Sequence, residues 1–160
     1  MSHWEALGAS NEWYTPKYIF DALGCTFDLD VAHPAAPTHV PCRERLTSGS
    51  LEAAWNGFIW MNPPFGGRNG LVPWLEKFAA HRNGIALTPD RTSAPWFQQF
   101  ARSMDGVLFV APKVKFERPD GTHGKSPSGG TALWASGQLA RGILGGASSL
   151  GLFVPLGGIR

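Results

Sequence analysis

Gly57-Phe58-Ile59-Trp60-Met61 is an apolar run of strand length, and Asn62-Pro63-Pro64-Phe65 follows it without a break. Beyond it, Leu71, Trp74, Leu75, Phe78 and Ala79 recur at intervals that predict a helix over residues 70–82. Ile85–Thr88 then reads as a second short strand, and Pro89–Thr92 as a loop. Strand, helix and strand in this order make a βαβ unit, which implies a parallel pair with its helix on one face of the sheet. The first strand of such a unit ends at the edge where α/β proteins bind ligands, so Asn62-Pro63-Pro64-Phe65 is expected at a cleft.

The alternation extends in both directions. Upstream, Pro16 precedes Tyr18, Ile19, Ala22 and Leu23, a short helix with proline in its first turn. Cys25–Asp30 reads as a strand in which Phe27 and Leu29 alternate with polar neighbours. Residues 31–48 are rich in proline, lack a sustained period and are expected to be mostly loop. Downstream, Ser93 is placed to cap a helix whose apolar face is Trp96, Phe97 and Phe100. Val107–Val110, Thr131–Ala135 and Leu150–Val154 read as strands, and Leu139–Leu144 as a helix. The fold class is therefore α/β, a single domain over residues 1–160. A mainly parallel sheet is flanked by helices, with an antiparallel hairpin around 118–130 at one edge.

Composition narrows the class. The chain of 160 residues is 43% apolar and 16% charged, enough to bury a core and unlike a disordered chain. No apolar run approaches the roughly 18–20 residues of a membrane span. The first sixteen residues carry Glu5 and Glu12 and lack an apolar stretch, and Cys25 and Cys42 form no CxxC pair, so a cytoplasmic protein with reduced thiols is expected. The five histidines show no HxxxH or HxH spacing, and no metal is expected. The net charge is only +2, but residues 1–112 carry −2 and residues 113–160 carry +4. Lys113, Lys115, Arg118 and Lys125 supply most of that excess, a patch suited to phosphates.

Asn62-Pro63-Pro64-Phe65 after a strand resembles the catalytic loop of S-adenosylmethionine-dependent amino-methyltransferases. The ordered series Trp13-Tyr14-Thr15-Pro16, Phe27-Asp28-Leu29-Asp30, Asn62-Pro63-Pro64-Phe65 and Pro89-Asp90-Arg91-Thr92-Ser93 resembles phage-type DNA N-6-adenine methyltransferases of the Dam kind over residues 11–120. The chemistry suits these residues. The adenine amine is a poor nucleophile because its lone pair is delocalised into the ring. A side-chain amide (Asn62) and a backbone carbonyl (Pro63) can accept its two N–H groups, and two prolines preorganise both acceptors. Phe65 offers a face for an extruded base.

The resemblance implies a reduced Rossmann-like methyltransferase fold, S-adenosylmethionine as cofactor and DNA as partner. It places Asn62, Pro63, Pro64 and Phe65 in the catalytic loop, and Trp13, Tyr14, Thr15 and Pro16 along the cofactor. Asp28 or Asp30 is expected to face the methionine ammonium. By loop placement and charge, Arg91, oriented by Asp90, is expected to contact phosphate or cofactor, and Lys113, Lys115, Arg118 and Lys125 to face DNA. The resemblance also implies a bacterial host cell if the gene is phage-borne. Two features depart from the pattern. Val31-Ala32-His33-Pro34 stands where a Gly-rich turn is common, and Glu44 is the one weak candidate for a ribose-binding acid. An RNA or protein-glutamine amino-methyltransferase, and an inactive relative that binds DNA or cofactor, are the alternative readings.

Overall fold

The computed structural model describes residues 13–64, 70–123 and 129–159. Helix α1 (Lys17–Leu23) starts after Pro16 and stops at Gly24, whose left-handed backbone turns its N–H back to the Phe20 carbonyl. Three strands follow: β1 (Phe27–Asp30), β2 (Cys42–Arg45) and β3 (Ile59–Met61). Helices and strands then alternate as α2 (Val72–His81), β4 (Gly84–Pro89), α3 (Pro95–Ser103) and β5 (Gly106–Val110). The chain closes with β6 (Thr131–Ser136), α4 (Gln138–Gly146), a 3-10 turn at Ser148–Leu150 and β7 (Gly151–Pro155). Both α2 and α3 carry proline in the first turn, where its missing N–H costs nothing. Ser93 does not cap α3. The cap position is Ala94, with no side-chain hydrogen bond, and Pro95 itself presets the first turn.

The strands form one sheet in the order β2-β1-β3-β4-β6-β5-β7. Pairings from β2 to β4 are parallel, and β6 and β7 run opposite to β4 and β5. Five strands thus deliver their carboxyl ends to one edge, joined there by the amino end of β6. The antiparallel part is built from β6, lodged between β4 and β5, and from the edge strand β7. Around 118–130 the described residues form a single bridge, Glu117 to His123, outside the sheet.

The stretch 31–48, expected as loop, contains β2. Its residues Cys42-Arg43-Glu44-Arg45 are mostly exposed and show no apolar alternation. Backbone pairing alone makes the strand: Phe27 N–H donates to the Pro41 carbonyl at 2.8 Å and Leu46 N–H to the Asp30 carbonyl at 2.9 Å. Charged side chains on an outer strand are a common defence against edge-to-edge aggregation.

Helices cover both faces. Ile19, Phe20 and Leu23 of α1 and Ala140 and Leu144 of α4 pack with Trp60, Ile85, Leu87 and Leu133. On the other face, Leu75 and Phe78 of α2 and Phe97 and Phe100 of α3 pack with Ile59, Met61, Ala86 and Trp134. Strand β1 departs from regular alternation. The Asp28 and Val31 amides, three residues apart, donate to the Phe58 and Trp60 carbonyls, which are two apart. One extra residue is therefore accommodated in β1, a bulge. Phe27 stacks on Phe58 in the α1 layer, whereas Leu29 packs in the α2 layer. The simple alternation that would put Phe27 and Leu29 on one face does not hold. Asp30, in register with Trp60, is turned to the α1 side.

The loop entering β3 is pinned as well. Lys77 donates to the carbonyls of Ser50, Leu51 and Ala53, and its ammonium lies 4.9 Å from the Trp55 ring centre. Trp134 anchors the middle of the sheet: it is fully buried, its Nε1 donates to Thr88 Oγ1 at 2.8 Å, and the rings of Phe97 and Phe100 meet it edge-on. Trp134→Ala should destabilise the protein by about 3–5 kcal/mol in equilibrium urea unfolding. A loss under 1 kcal/mol would contradict this packing.

Candidate active site

Strand β1 lies between β2 and β3; the chain leaves β1 toward β2 on one side and leaves β3 toward β4 on the other, so the two connections run in opposite directions. This is a topological switch point, where the loops beyond the carboxyl ends diverge and leave a crevice. Asp30 ends β1 there, and Asn62 follows β3 beside it.

Asp30 is 2% exposed, and its Oδ1 accepts the Ala32 N–H at 3.1 Å. Burial pushes its carboxyl up to about 6, against the lowering effects of the Ala32 amide, His33 and Arg45. His33 is itself buried, with Nδ1 2.6 Å from the Pro34 carbonyl and Nε2 3.3 Å from Thr38 Oγ1. Asp28 is placed differently. Its Oδ2 accepts the Phe58 N–H at 2.7 Å, and its Oδ1 lies 3.5 Å from Arg43 Nε. Gly57 has φ +79°, and a Cβ there would overlap the Asp28 carboxylate. Asp28 therefore braces the bulge against the start of β3, while Asp30 occupies the crevice. Glu44 lies on the exposed strand β2, opposite Leu29.

Thr15 and Asn62, 47 residues apart, meet at this edge: Asn62 Nδ2 donates to the buried Thr15 Oγ1 at 3.3 Å. That bond uses the amide nitrogen, and Asn62 Oδ1 makes no hydrogen bond to a described residue. Pro63 is buried and Pro64 exposed. Phe65 lies outside the described residues, as does Lys125.

The segment 13–16 is clamped from above. Tyr14 and Glu117 exchange backbone hydrogen bonds of 2.7 and 2.9 Å. Glu117 Oε2 also lies 2.8 Å from His39 Nε2, tying the 31–41 loop to the chain that leaves β5. Arg118 packs over the Trp13 ring at 5.2 Å and donates through Nη1 to Thr122 Oγ1 and the His123 carbonyl. These contacts fasten Arg118 locally. Lys113, Lys115 and Arg91 are exposed on the loops at the carboxyl edge. Asp90 does not pair with Arg91. It lies against Gly130, where a Cβ would overlap its carboxylate, and its N–H donates to the Gly130 carbonyl at 3.1 Å.

Sequence reasoning missed Glu117, His39 and His33. Glu117 and His39 meet across 78 residues of sequence, which no local window contains, and His33 is held within its own loop by Pro34 and Thr38, a contact that no motif announces. Among the described residues, no group of three or more His, Cys, Asp or Glu side chains is arranged to hold a metal ion, and no helix is long and apolar enough to cross a membrane. A depression of about 400 Å³ lined by Lys17, Phe20, Asp21, Cys25 and His39 lies toward the amino end of β1, away from Asn62.

A mixed sheet with a buried carboxylate and a proline-held amide on either side of its switch point defines an α/β protein whose candidate ligand site is that edge. A family model described as DNA N-6-adenine-methyltransferase (Dam) matches residues 7–133, which include segment 13–16, both strands of the switch point and Asn62–Phe65. The chain belongs to that family. No curated protein and no solved structure matches it.

Asp30 generates a prediction about stability. Its folded-state carboxyl titrates above the ordinary value of 3.8, so its contribution is fully present below about pH 4 and is lost as pH rises through about 6. Asp30→Asn, which keeps the acceptor for Ala32, should flatten the stability curve across that window. At neutral pH it should be more stable than wild type, by up to roughly 3 kcal/mol. Urea unfolding at a series of pH values checks this; parallel curves for the two proteins would refute it.

Proposed function

We propose that the chain is a single-domain enzyme that transfers a methyl group from S-adenosylmethionine to the 6-amino group of adenine in DNA, acting on a base extruded from the helix. The observation that carries this reading is the placement of Asp30 and Asn62 at the carboxyl ends of the adjacent strands β1 and β3, with the Asn62 amide held by Thr15. The cofactor fits the residues present. A buried carboxylate held above its ordinary range by desolvation gains from an ammonium, and the methionine end of the cofactor carries one. Asp30 would bind that group, and Trp13, Tyr14, Thr15 and Pro16 would line the same crevice. Asp28 serves this site through the bulge it braces. When bound, S-adenosylmethionine supplies an electrophilic methyl group on a sulfonium.

The rest belongs to the chain. Thr15 accepts from Asn62 Nδ2, and so directs Asn62 Oδ1 toward an incoming N–H donor. Oδ1 accepts one hydrogen of the adenine amine and the Pro63 carbonyl accepts the other, which withdraws the nitrogen lone pair from the ring. Pro63 and Pro64 hold both acceptors in place before the base arrives, so little reorganisation is needed at the reaction step. Phe65 stacks on the base. Arg91, Lys113 and Lys115 meet phosphates along the carboxyl edge, and Lys125 is assigned to DNA on its charge alone. Arg118, fastened to Trp13, acts mainly by holding segment 13–16. Any sequence preference comes from these short loops.

Asn62→Ala should lower the single-turnover methylation rate by about 10²–10³ while S-adenosylhomocysteine binding, read by calorimetry, is retained. A wild-type rate in that variant would remove the loop from catalysis. Affinity for S-adenosylhomocysteine should also fall as pH drops below about 6, because protonation of Asp30 removes the charge that faces the ammonium. Asp30→Asn should abolish that dependence.

Reversing the charge at Arg91 and Lys115 should weaken DNA binding and flatten its salt dependence, by about one unit of logarithmic slope per lost phosphate contact. An unchanged slope would place the DNA elsewhere.

A further inference from the structure

Two buried hydroxyls, Thr131 Oγ1 and Ser136 Oγ, have no hydrogen-bond partner among the described residues, and they stand at opposite ends of β6. Ser136 pairs with Gly84 at the amino end of β4, away from the cleft. Thr131, 6% exposed, pairs with Pro89 at the carboxyl end of β4, the end at which Asn62 follows β3. An unsatisfied buried hydroxyl is costly and uncommon in a folded protein. The one at the far end of the strand has no neighbouring site to explain it; the one at the near end does.

Thr131 also faces the correct way. It lies two residues before Leu133 on a regular strand, and Leu133 packs with Trp60 and Leu87 in the α1 layer. Asp30 is turned to that layer by its register with Trp60, and Thr15, just ahead of α1, holds Asn62 there. Only β4 separates the strand before Asn62 from β6, so the lateral gap is about 10 Å at the usual strand spacing. A purine with a hydrogen bond of about 2.9 Å on each side spans a gap of that size. Asn62 accepts from the exocyclic amine; a ring nitrogen on the far side of the base accepts a proton donor, and a hydroxyl is one.

We propose that Thr131 reads the ring edge of the target adenine, its hydroxyl donating to a ring nitrogen while Asn62 holds the amine. This rests on the reading of the chain as an adenine methyltransferase. Thr131 is then a specificity residue whose hydrogen bond is missing in the free protein and is made only by the extruded base.

The experiment compares Thr131→Val, Thr131→Ser and Ser136→Ala in the full chain, by thermal unfolding, by kcat/KM on plasmid DNA at saturating S-adenosylmethionine, and by calorimetry with S-adenosylhomocysteine. Valine keeps the shape of threonine and removes the unsatisfied group. Thr131→Val should raise Tm by about 2–4 °C, lower kcat/KM on DNA about tenfold and leave cofactor affinity unchanged. Thr131→Ser, which keeps the hydroxyl, should stay close to wild type in activity. Ser136→Ala should raise Tm and leave kcat/KM as it is. Thr131→Val with wild-type kcat/KM would make the hydroxyl a packing defect and overturn the proposal. A joint fall of Tm and activity would overturn it too, by giving Thr131 a structural role. Wild-type protein that binds S-adenosylhomocysteine but transfers no methyl group to DNA would instead remove the underlying reading, and this assignment with it.

Discussion

Between Asp28 and Val31 the first strand carries one residue more than the strand beside it, and the geometry of the crevice follows from that mismatch. A regular strand would leave Phe27 and Leu29 on one face and turn Asp30 to the other. With the extra residue, Phe27 and Asp30 both face the α1 layer. The carboxylate then lies beside the segment that enters α1, where Thr15 meets Asn62. The bulge is held by contacts of its own: the Asp28 carboxylate takes the Phe58 amide and approaches Arg43, and only glycine fits at position 57. Two acids in one short motif are thus placed differently, one bracing the backbone and one buried in the crevice.

The carboxyl edge concentrates groups that are unfavourable in the free protein. Among the described residues, Asp30 is desolvated without a close ion-pair partner and Thr131 buries a hydroxyl without a hydrogen-bond partner. The sheet below can carry these costs because its centre is densely aromatic. Trp60, Trp134, Phe78, Phe97 and Phe100 are buried on its two faces, and the pairings of β6 with β4 and β5 extend over most of their length. Strain and desolvation stored at a rim and offset by a rigid interior are common where a site is organised before its ligand arrives.

The chain leaving β5 has a second role besides presenting cations. Glu117 joins segment 13–16 through Tyr14 and the 31–41 loop through His39, and Arg118 covers Trp13. Three loops from distant parts of the sequence are therefore coupled over the crevice. Basic residues in one stretch divide accordingly: Arg118 is used internally, whereas Lys115 is exposed.

Sequence patterning by itself determined the alternation of strands and helices, the position of Asn62-Pro63-Pro64-Phe65 at a strand end, and the helix after Pro16. Each rests on local periodicity or on the fixed backbone of proline. Tertiary structure alone decided that Cys42–Arg45 is a strand, because an exposed edge strand is made by backbone pairing and needs no apolar pattern. It alone placed β6 inside the sheet, and chose Asp30 over Asp28 for the crevice. It alone showed Thr131 and Glu117 near the site. Period-two reading assumes regular strands with known neighbours, and here the register is set by hydrogen bonds between residues some thirty positions apart, which no local window contains.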